Sequence, residues 1–300
     1  MKILIAGATG LIGKELVHQC HEARISIHYL TTRRDKIVAQ ENYKGFYWNP
    51  VAGEIDLEAF DGIEAIVNLA GATVAKRWTT NHKINIVESR IRTTALLYES
   101  VKKLELNISQ YISSSGISYY PSSRKQLYTE EHPQASNSFL GKVTQEWEAA
   151  ADLFSTLKIP VAKVRTGIVL SGNGGALPQI TRPIKMGLGA ALGSGEQWQS
   201  WIHIEDIAGI YLFLLKHKSS GVYNGVSPSP VTNAKMTKTI ASHLKKPLWL
   251  PKIPAFVLKL FLGKMGSLAF ESQLVSAKKI EEEGYLFHYV NLEKAIEDLL

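Results

Sequence analysis

Lys2-Ile3-Leu4-Ile5-Ala6-Gly7-Ala8-Thr9-Gly10-Leu11-Ile12-Gly13 opens the chain with an apolar run that passes directly into three glycines spaced three apart. The run Lys2–Ala6 predicts a strand and Leu11–Ala23 a helix. Between them each glycine has its own reason. Gly7 permits a tight turn, Gly10 lets the backbone approach a pyrophosphate, and Gly13 lets the helix pack close to the strand. The helix amino terminus then offers free N–H groups and a partial positive charge to an anion. Gly7, Thr9, Gly10, Leu11, Ile12 and Gly13 are therefore candidate residues of a dinucleotide phosphate loop, with GxxGxxG spacing.

Working outward, Ser26–Leu30 reads as a second strand, followed by Thr31-Thr32-Arg33-Arg34. A site for NAD would want a carboxylate here for the ribose 2′-hydroxyl, and no acid occurs before Asp35. Hydroxyls and a guanidinium suit a 2′-phosphate instead, because guanidinium pairs bidentately with phosphate oxygens. Thr31, Thr32 and Arg33 thus point to NADP(H) as cofactor.

Further strands are expected at Ala65–Leu69, Gln110–Ser114 and Val161–Val169, and helices at Asn81–Leu104 and Ser138–Leu157. In the first of these helices Ile84, Val87, Ile91, Ala95, Tyr98 and Val101 recur at three- and four-residue steps. Strands alternating with helices imply a parallel sheet covered on both faces. From Ser171 onward glycines and prolines crowd the chain. A smaller, mixed carboxy-terminal domain is expected over 171–300, after a nucleotide-binding domain over 1–170. The stretch near 200–225 is a candidate to return to the first sheet.

Composition sets the outer limits. Three hundred residues with 45% hydrophobic and 20% charged are ordinary globular material. The one cysteine, Cys20, excludes a disulfide framework and a CxxC zinc site. It fits a reducing, cytoplasmic setting. Nine histidines show no HExxH spacing, so no metal is expected. No secretory signal is read at the amino terminus. Net charge is +7, but the basic residues are dispersed in ones and twos, so no nucleic-acid partner is expected. No unbroken apolar stretch is long enough to span a bilayer. Phe256–Phe270 reads as a buried or half-buried helix rather than a membrane-surface one, so no membrane partner is expected either.

With Asn68-Leu69-Ala70-Gly71, Ile112-Ser113-Ser114-Ser115 and Trp201-Ile202-His203-Ile204-Glu205-Asp206 added to the glycine motif, the chain resembles the extended short-chain dehydrogenase/reductase superfamily. Arg77-Trp78-Thr79, Ser89-Arg90-Ile91-Arg92-Thr93-Thr94, Trp147-Glu148 and Gly193-Ser194-Gly195-Glu196-Gln197-Trp198 narrow the likeness to its sugar-nucleotide epimerase-like branch. The resemblance covers nearly the whole chain. It implies an α/β fold, a doubly wound parallel Rossmann sheet with a smaller mixed carboxy-terminal substrate domain. It puts Asp56 and Leu57 beside the adenine. Leu69, Ala70, Gly71 and Ala72 lie under the adenosine ribose and pyrophosphate, and Gly167 and Ile168 meet the nicotinamide end. Ser115 matches the catalytic serine. Arg77, soon after the Asn68–Gly71 turn, is a further candidate for a cofactor phosphate.

One departure stands out. Such reductases carry Tyr-x-x-x-Lys on one helix face, the tyrosine moving the proton and the lysine lowering its pKa. Here the matching place reads Phe139-Leu140-Gly141-Lys142-Val143, with Lys142 about 100° off the required face. Tyr119 or Tyr120 is a candidate replacement phenol, with Lys142 or Arg77 as the nearby cation, and His203 a weaker proton donor. Trp198 and Trp201 are candidates to stack on a sugar or base. Two functions follow. One is an NADP(H)-dependent oxidoreductase or epimerase of a small, sugar-like or nucleotide-linked substrate. The other is a non-catalytic NADP(H)-binding sensor or regulator. A homodimer through the two long helices is compatible with either.

Overall fold

β1 (Lys2–Ala6) lies at the centre of the molecule because its side chains are apolar on both faces. Ile3 and Ile5 enter one core with α1 (Leu11–Glu22), while Leu4 and Ala6 enter a second core on the opposite side of the sheet. A strand buried on both faces reads as a continuous hydrophobic run, which is what the sequence shows. The computed structural model describes residues 1–254, 256–257 and 263–300.

The remaining long strands are β2 (Ser26–Thr31), β3 (Tyr43–Asn49), β4 (Ala65–Asn68), β5 (Gln110–Gly116), β6 (Val161–Thr166), β7 (Ile168–Ser171), β8 (Trp201–His203) and β9 (Gly221–Gly225). The main sheet runs β9-β6-β5-β4-β1-β2-β3, every pair parallel, with two-residue strands added antiparallel beyond β3. Strand order reverses at β1, between β2 and β4. In open α/β sheets that switch point, at the carboxyl ends of the strands, is where a ligand crevice forms. The fold is the doubly wound α/β architecture.

Helices cover both faces. α2 (Thr80–Lys103) is capped by Thr79, whose hydroxyl accepts from His82 N at 3.2 Å. α3 (Phe139–Asp152) is capped by Ser138, which accepts from Gly141 N at 3.1 Å. The side of α2 that is buried differs from the row read in the sequence. Ile86, Thr94, Leu97 and Val101 face inward, whereas Ile84 is 50% exposed. The inward face is set by polar pairing as well as by burial, since Asn68 Nδ2 donates to Thr94 Oγ1 at 3.2 Å.

Two strands depart from the sequence reading. Val161–Val169 is not one strand: the chain leaves the main sheet at Gly167 and continues as β7, paired with β8 in a small separate sheet. A Cβ on Gly167 would lie 2.3 Å from Ser200 O, so only glycine lets the two backbones pass there. β3 was not read as a strand at all. Gly45 within it accommodates the Tyr29 ring from the neighbouring strand, to which a Cβ would come within 2.4 Å. β9 rejoins the main sheet beside β6.

The carboxy-terminal portion also holds α4 (Leu177–Lys185), α5 (Ile204–His217), α6 (Asn233–His243) and α7 (Leu292–Leu299). α4, α6 and α7 enclose a third core around Leu170, Leu177, Trp201, Met236, Ile240 and Ile296. In the stretch expected to be one helix, Phe256 is 72% exposed and Gly263–Phe270 is a 3-10 helix. Residues 258–262 lie outside the described residues.

Candidate functional site

At the switch point the three glycines have the geometry their spacing implies. Gly7 has φ +89°, in the left-handed region, and a Cβ there would stand 2.9 Å from Leu69 C. A Cβ on Gly13 would lie 2.1 Å from Gly7 O, so helix and turn touch backbone to backbone. Gly10 is the N-cap residue of α1 and supplies no side-chain cap, and the first turn holds no acidic residue. The leading N–H groups of α1 therefore face outward beside exposed Thr9 and Gly10. Leu11 and Ile12 pack inward, Leu11 against Gly174 and Gly175 of the carboxy-terminal portion. A cradle emptied of Cβ atoms beneath an open helix terminus fits a pyrophosphate.

Next to it, β2 ends at buried Thr31, whose Oγ1 accepts from Arg33 N at 3.2 Å and turns the chain. Thr32 is exposed. Arg33 grips Asp35 with Nε at 3.1 Å and Nη2 at 2.5 Å, and both side chains are exposed. That pair holds Arg33 above, and Asp35 below, the ordinary range through their mutual hydrogen bond. Arg34 lies over the Tyr47 ring at 3.8 Å. Asp56 caps a short 3-10 turn by accepting from Glu58 N at 3.1 Å, and Leu57 is half-buried beside it. Arg77 is exposed and lies toward the carboxy-terminal portion, where a Cβ on Gly263 would be 3.6 Å from its Nε.

The arginine held against the Asn68–Gly71 turn is instead Arg90, which the sequence reading passed over. Its Nη1 donates to Ala72 O at 3.2 Å and Ile86 O at 2.8 Å, and its guanidinium packs over the Trp147 ring at 4.7 Å. A Cβ on Gly71 would come within 3.1 Å of its Cζ. No carboxylate pairs with it among the described residues, and burial pulls its pKa down to about 10. A half-buried cation with only carbonyl partners, facing the Asn68–Gly71 turn, is short of an anion. The signal was present in the sequence: Arg90 falls four residues after Ile86, on the buried row of α2.

At the end of β5 the structure brings Ser115 and Tyr120 together in one buried network. Ser115 Oγ donates to Glu148 Oε1 at 2.7 Å. Arg165 clamps Glu148 with Nε at 2.8 Å and Nη2 at 2.9 Å, and its Nη1 donates to the Tyr120 hydroxyl at 3.0 Å. That hydroxyl donates on to Asn224 Oδ1 at 2.8 Å. Burial works against charge on Arg165, but the hydrogen bonds and charge of Glu148 outweigh it and hold Arg165 above its usual value. Burial likewise pushes the Tyr120 phenol up to about 12. Tyr119 is half-buried and offers its ring face, with the Arg165 guanidinium 3.4 Å from the ring centroid.

On α3, Thr144 and Glu148 face the end of β5, while Leu140 packs with Trp78 and Ile86. Thr144 Cγ2 lies 3.6 Å from where a Cβ on Gly116 would be, and Glu148 meets Ser115. Phe139 turns aside to pack edge-on against Trp78, with Lys83 Nζ over its ring at 4.4 Å. Val143 is buried and Lys142 exposed. In either frame, Phe139 with Val143 or Leu140 with Thr144, α3 itself carries no tyrosine–lysine pair. The one Tyr-x-x-x-Lys in the sequence, Tyr98 to Lys102, sits at the far end of α2, where Tyr98 meets Thr156.

His203 is the N-cap of α5, its Nδ1 accepting from Glu205 N at 3.2 Å. Its proton is therefore on Nε2, 3.2 Å from Asp298 Oδ2 but without good hydrogen-bond geometry. Burial keeps its pKa down. The Asp206 carboxylate, in the first turn of α5, accepts from His288 N and Tyr289 N and ties the carboxy-terminal segment to α5. Trp201 is fully buried and bonded to Ser229 O, so it stacks on no ligand. Trp198 is half-buried, its Nε1 donating to Arg124 O at 3.1 Å. Gly167 and Ile168 stand at the carboxyl end of β6.

Residues 3–226 match the model of the NAD dependent epimerase/dehydratase family, and residues 253–299 match a domain of unknown function, DUF1731. An Epimerase family protein of Staphylococcus aureus (strain MRSA252) is 36% identical over 300 residues, covering 99% of this chain and 98% of that protein. The crystal structure of human epimerase family protein SDR39U1 (isoform2) with NADPH superposes with TM-score 0.88 at 29% identity, covering 100% of this chain and 99% of that one. A nucleoside-diphosphate sugar epimerase from Corynebacterium glutamicum superposes with TM-score 0.80 at 28% identity, covering 100% of this chain and 58% of that one.

Proposed function

Because this chain belongs to the NAD dependent epimerase/dehydratase family, we propose that it binds NADP(H) above β1 and β4 and exchanges hydride with a small, sugar-like or nucleotide-linked substrate. The observation that carries the cofactor half is the open amino terminus of α1 behind a turn with no room for a Cβ at Gly7 or Gly13. Arg33 would take the 2′-phosphate, exchanging an exposed carboxylate partner for it at little cost, since exposed ion pairs contribute little. Arg90 would meet the pyrophosphate from the opposite side. Leu69, Ala70, Gly71 and Ala72 would floor the ribose, and Asp56 and Leu57 would flank the adenine. A substrate would sit beneath the carboxy-terminal portion, 171–300, which we take as the cap apart from β9.

Calorimetric titration separates these roles. NADPH is expected to bind about tenfold to a hundredfold more tightly than NADH, the usual worth of a charge-assisted phosphate contact. Arg33→Ala should erase that preference by weakening NADPH alone. Arg90→Leu should weaken both cofactors alike, because the pyrophosphate is common to them, with thermal melting as the fold control. Equal affinities in the unaltered protein would overturn the NADP assignment.

Bound nicotinamide supplies or accepts the hydride. The chain must then move a proton without a tyrosine–lysine pair. Tyr119 is the best placed phenol: it follows the serine strand, keeps its hydroxyl outside the buried network and lies with its ring against the Arg165 guanidinium. Ser115 would act only after its hydroxyl swings from Glu148 to the substrate. In an assay of NADPH oxidation over a substrate panel, Tyr119→Phe is expected to cost about 10²–10⁴-fold, the worth of general acid catalysis. Tyr120→Phe should act through stability instead. Robust turnover indifferent to Tyr119→Phe and Ser115→Ala removes this placement. A second reading, the non-catalytic NADP(H) sensor, is favoured by the commitment of Ser115 to Glu148 and by Leu140 and Thr144 on α3. Tight NADPH binding with no turnover on any substrate decides for it.

A further inference from the structure

Charge is distributed unevenly along this chain. From Ile207 to Phe270 there are nine lysines and no aspartate or glutamate. Within that stretch Lys245-Lys246-Pro247-Leu248-Trp249-Leu250-Pro251-Lys252 forms an irregular segment, exposed along nearly its whole length. Trp249 is 68% exposed, and Leu248, Leu188, Met186 and Phe256 are exposed as well. These side chains come from two segments that run side by side. Ile253 N donates to Ala191 O and Gly193 N to Ile253 O, both at 2.9 Å. A Cβ on Gly189 would lie 2.9 Å from Leu248 Cδ2. The loop after α4 and the loop after α6 therefore share one rim, which carries both these apolar side chains and Lys185, Lys245, Lys246 and Lys252. Lys252 Nζ pins the rim by donating to Ser194 O at 2.7 Å. Lys185, Lys245 and Lys246 have no ion-pair partner among the described residues.

We infer that this rim docks on the surface of an anionic lipid bilayer, Trp249, Leu248, Leu188 and Phe256 entering the headgroup region while the lysines meet lipid phosphates. The occupant follows from the combination. A nucleic-acid duplex would use the lysines but leave Trp249 and Leu248 in water. A bilayer uses both, because an indole sits well at the interface and long lysine stems lie along apolar surface with their charges in the headgroups. No helix among the described residues is long and apolar enough to cross a membrane, so the contact is one of lying on the surface. This departs from the expectation that the protein has no membrane partner. That expectation rests on spans and on the stretch from Phe256 onward, whereas all of the rim but Phe256 comes from two earlier loops far apart in sequence.

Sedimentation of the full chain with vesicles tests the inference. The protein is expected to pellet with equimolar phosphatidylcholine–phosphatidylglycerol vesicles, to stay in solution with phosphatidylcholine alone, and to release as salt rises. Removing Lys245 and Lys246 together by alanine should lower partitioning about 25-fold, at about fivefold per lysine. Trp249→Ala should weaken binding while keeping its salt dependence, and Trp249→Phe should abolish the blue shift of tryptophan emission on adding anionic vesicles. All these positions are exposed, and unchanged NADPH affinity serves as the fold control. Failure to bind anionic vesicles overturns the inference, as does binding indifferent to both sets of substitutions. Competition by a DNA duplex that depends on the lysines but not on Trp249 would reassign the rim to a polyanion.

Discussion

Glu148→Ala is expected to destabilise the protein by about 3–5 kcal/mol, the cost of leaving a buried charge without its partner. The Glu148 and Arg165 side chains are nearly inaccessible, and they meet through two hydrogen bonds. Removing the carboxylate strands the guanidinium and leaves the Ser115 hydroxyl without its acceptor. Tyr120 and Asn224, which hang on the other side of Arg165, should loosen with it. Urea unfolding followed by circular dichroism reads the loss directly. Two companion variants separate charge from shape. Glu148→Gln keeps an acceptor for Ser115 and should cost less. The double variant Glu148→Leu with Arg165→Met should recover much of the loss, because a buried ion pair often contributes no more than well-packed apolar side chains. A loss under about 1 kcal/mol for Glu148→Ala, within the range of ordinary surface substitutions, contradicts this account.

The same network explains why the surroundings of Ser115 were hard to read while the glycine turn was easy. The Gly7–Gly13 turn is local. Strand, turn and helix lie within Lys2–Gly13, and each glycine answers to a neighbour a few residues away, so spacing alone carries the geometry. Thr79 and Ser138 announce their helices in the same local way, through hydroxyls that cap the next turn. Ser115 is different. Its partner lies 33 residues on, and nothing in the serine strand says that the hydroxyl points to Glu148 rather than to a crevice. Arg90 was hidden by the opposite fault. Its position on the buried row of α2 is legible, but a row counted from Ile84 instead of Ile86 turns that face outward. β3 was missed because Gly45 interrupts its run, and the reason for the glycine, the Tyr29 ring across the sheet, is a tertiary contact. What stayed illegible was set by side chains meeting across the sheet, not by propensity or period.

Gly10→Val is expected to abolish NADP(H) binding and leave the fold intact, and its neighbour provides the contrast that makes the result readable. Gly10 has φ −76°, where any residue is at ease, and it is exposed. A Cβ there would lie 3.1 Å from Gly7 O, a close approach that a shift of a few tenths of an ångström relieves. The two methyl groups of valine would then stand over the leading N–H groups of α1, where a pyrophosphate must come within hydrogen-bond distance. Stability should change by no more than about 1 kcal/mol. Gly13→Ala reverses the pattern. Its added Cβ would lie 2.1 Å from Gly7 O and 2.8 Å from Ala8 Cα, both backbone atoms that cannot turn away. Helix α1 must move off the turn, so the fold itself should lose stability, and cofactor binding should fall with it. The measurements are urea unfolding and NADPH titration on both variants. If Gly10→Val binds NADPH normally, the open helix terminus is not where the pyrophosphate sits. If Gly13→Ala is as stable as the unaltered protein, α1 is not held by backbone contact.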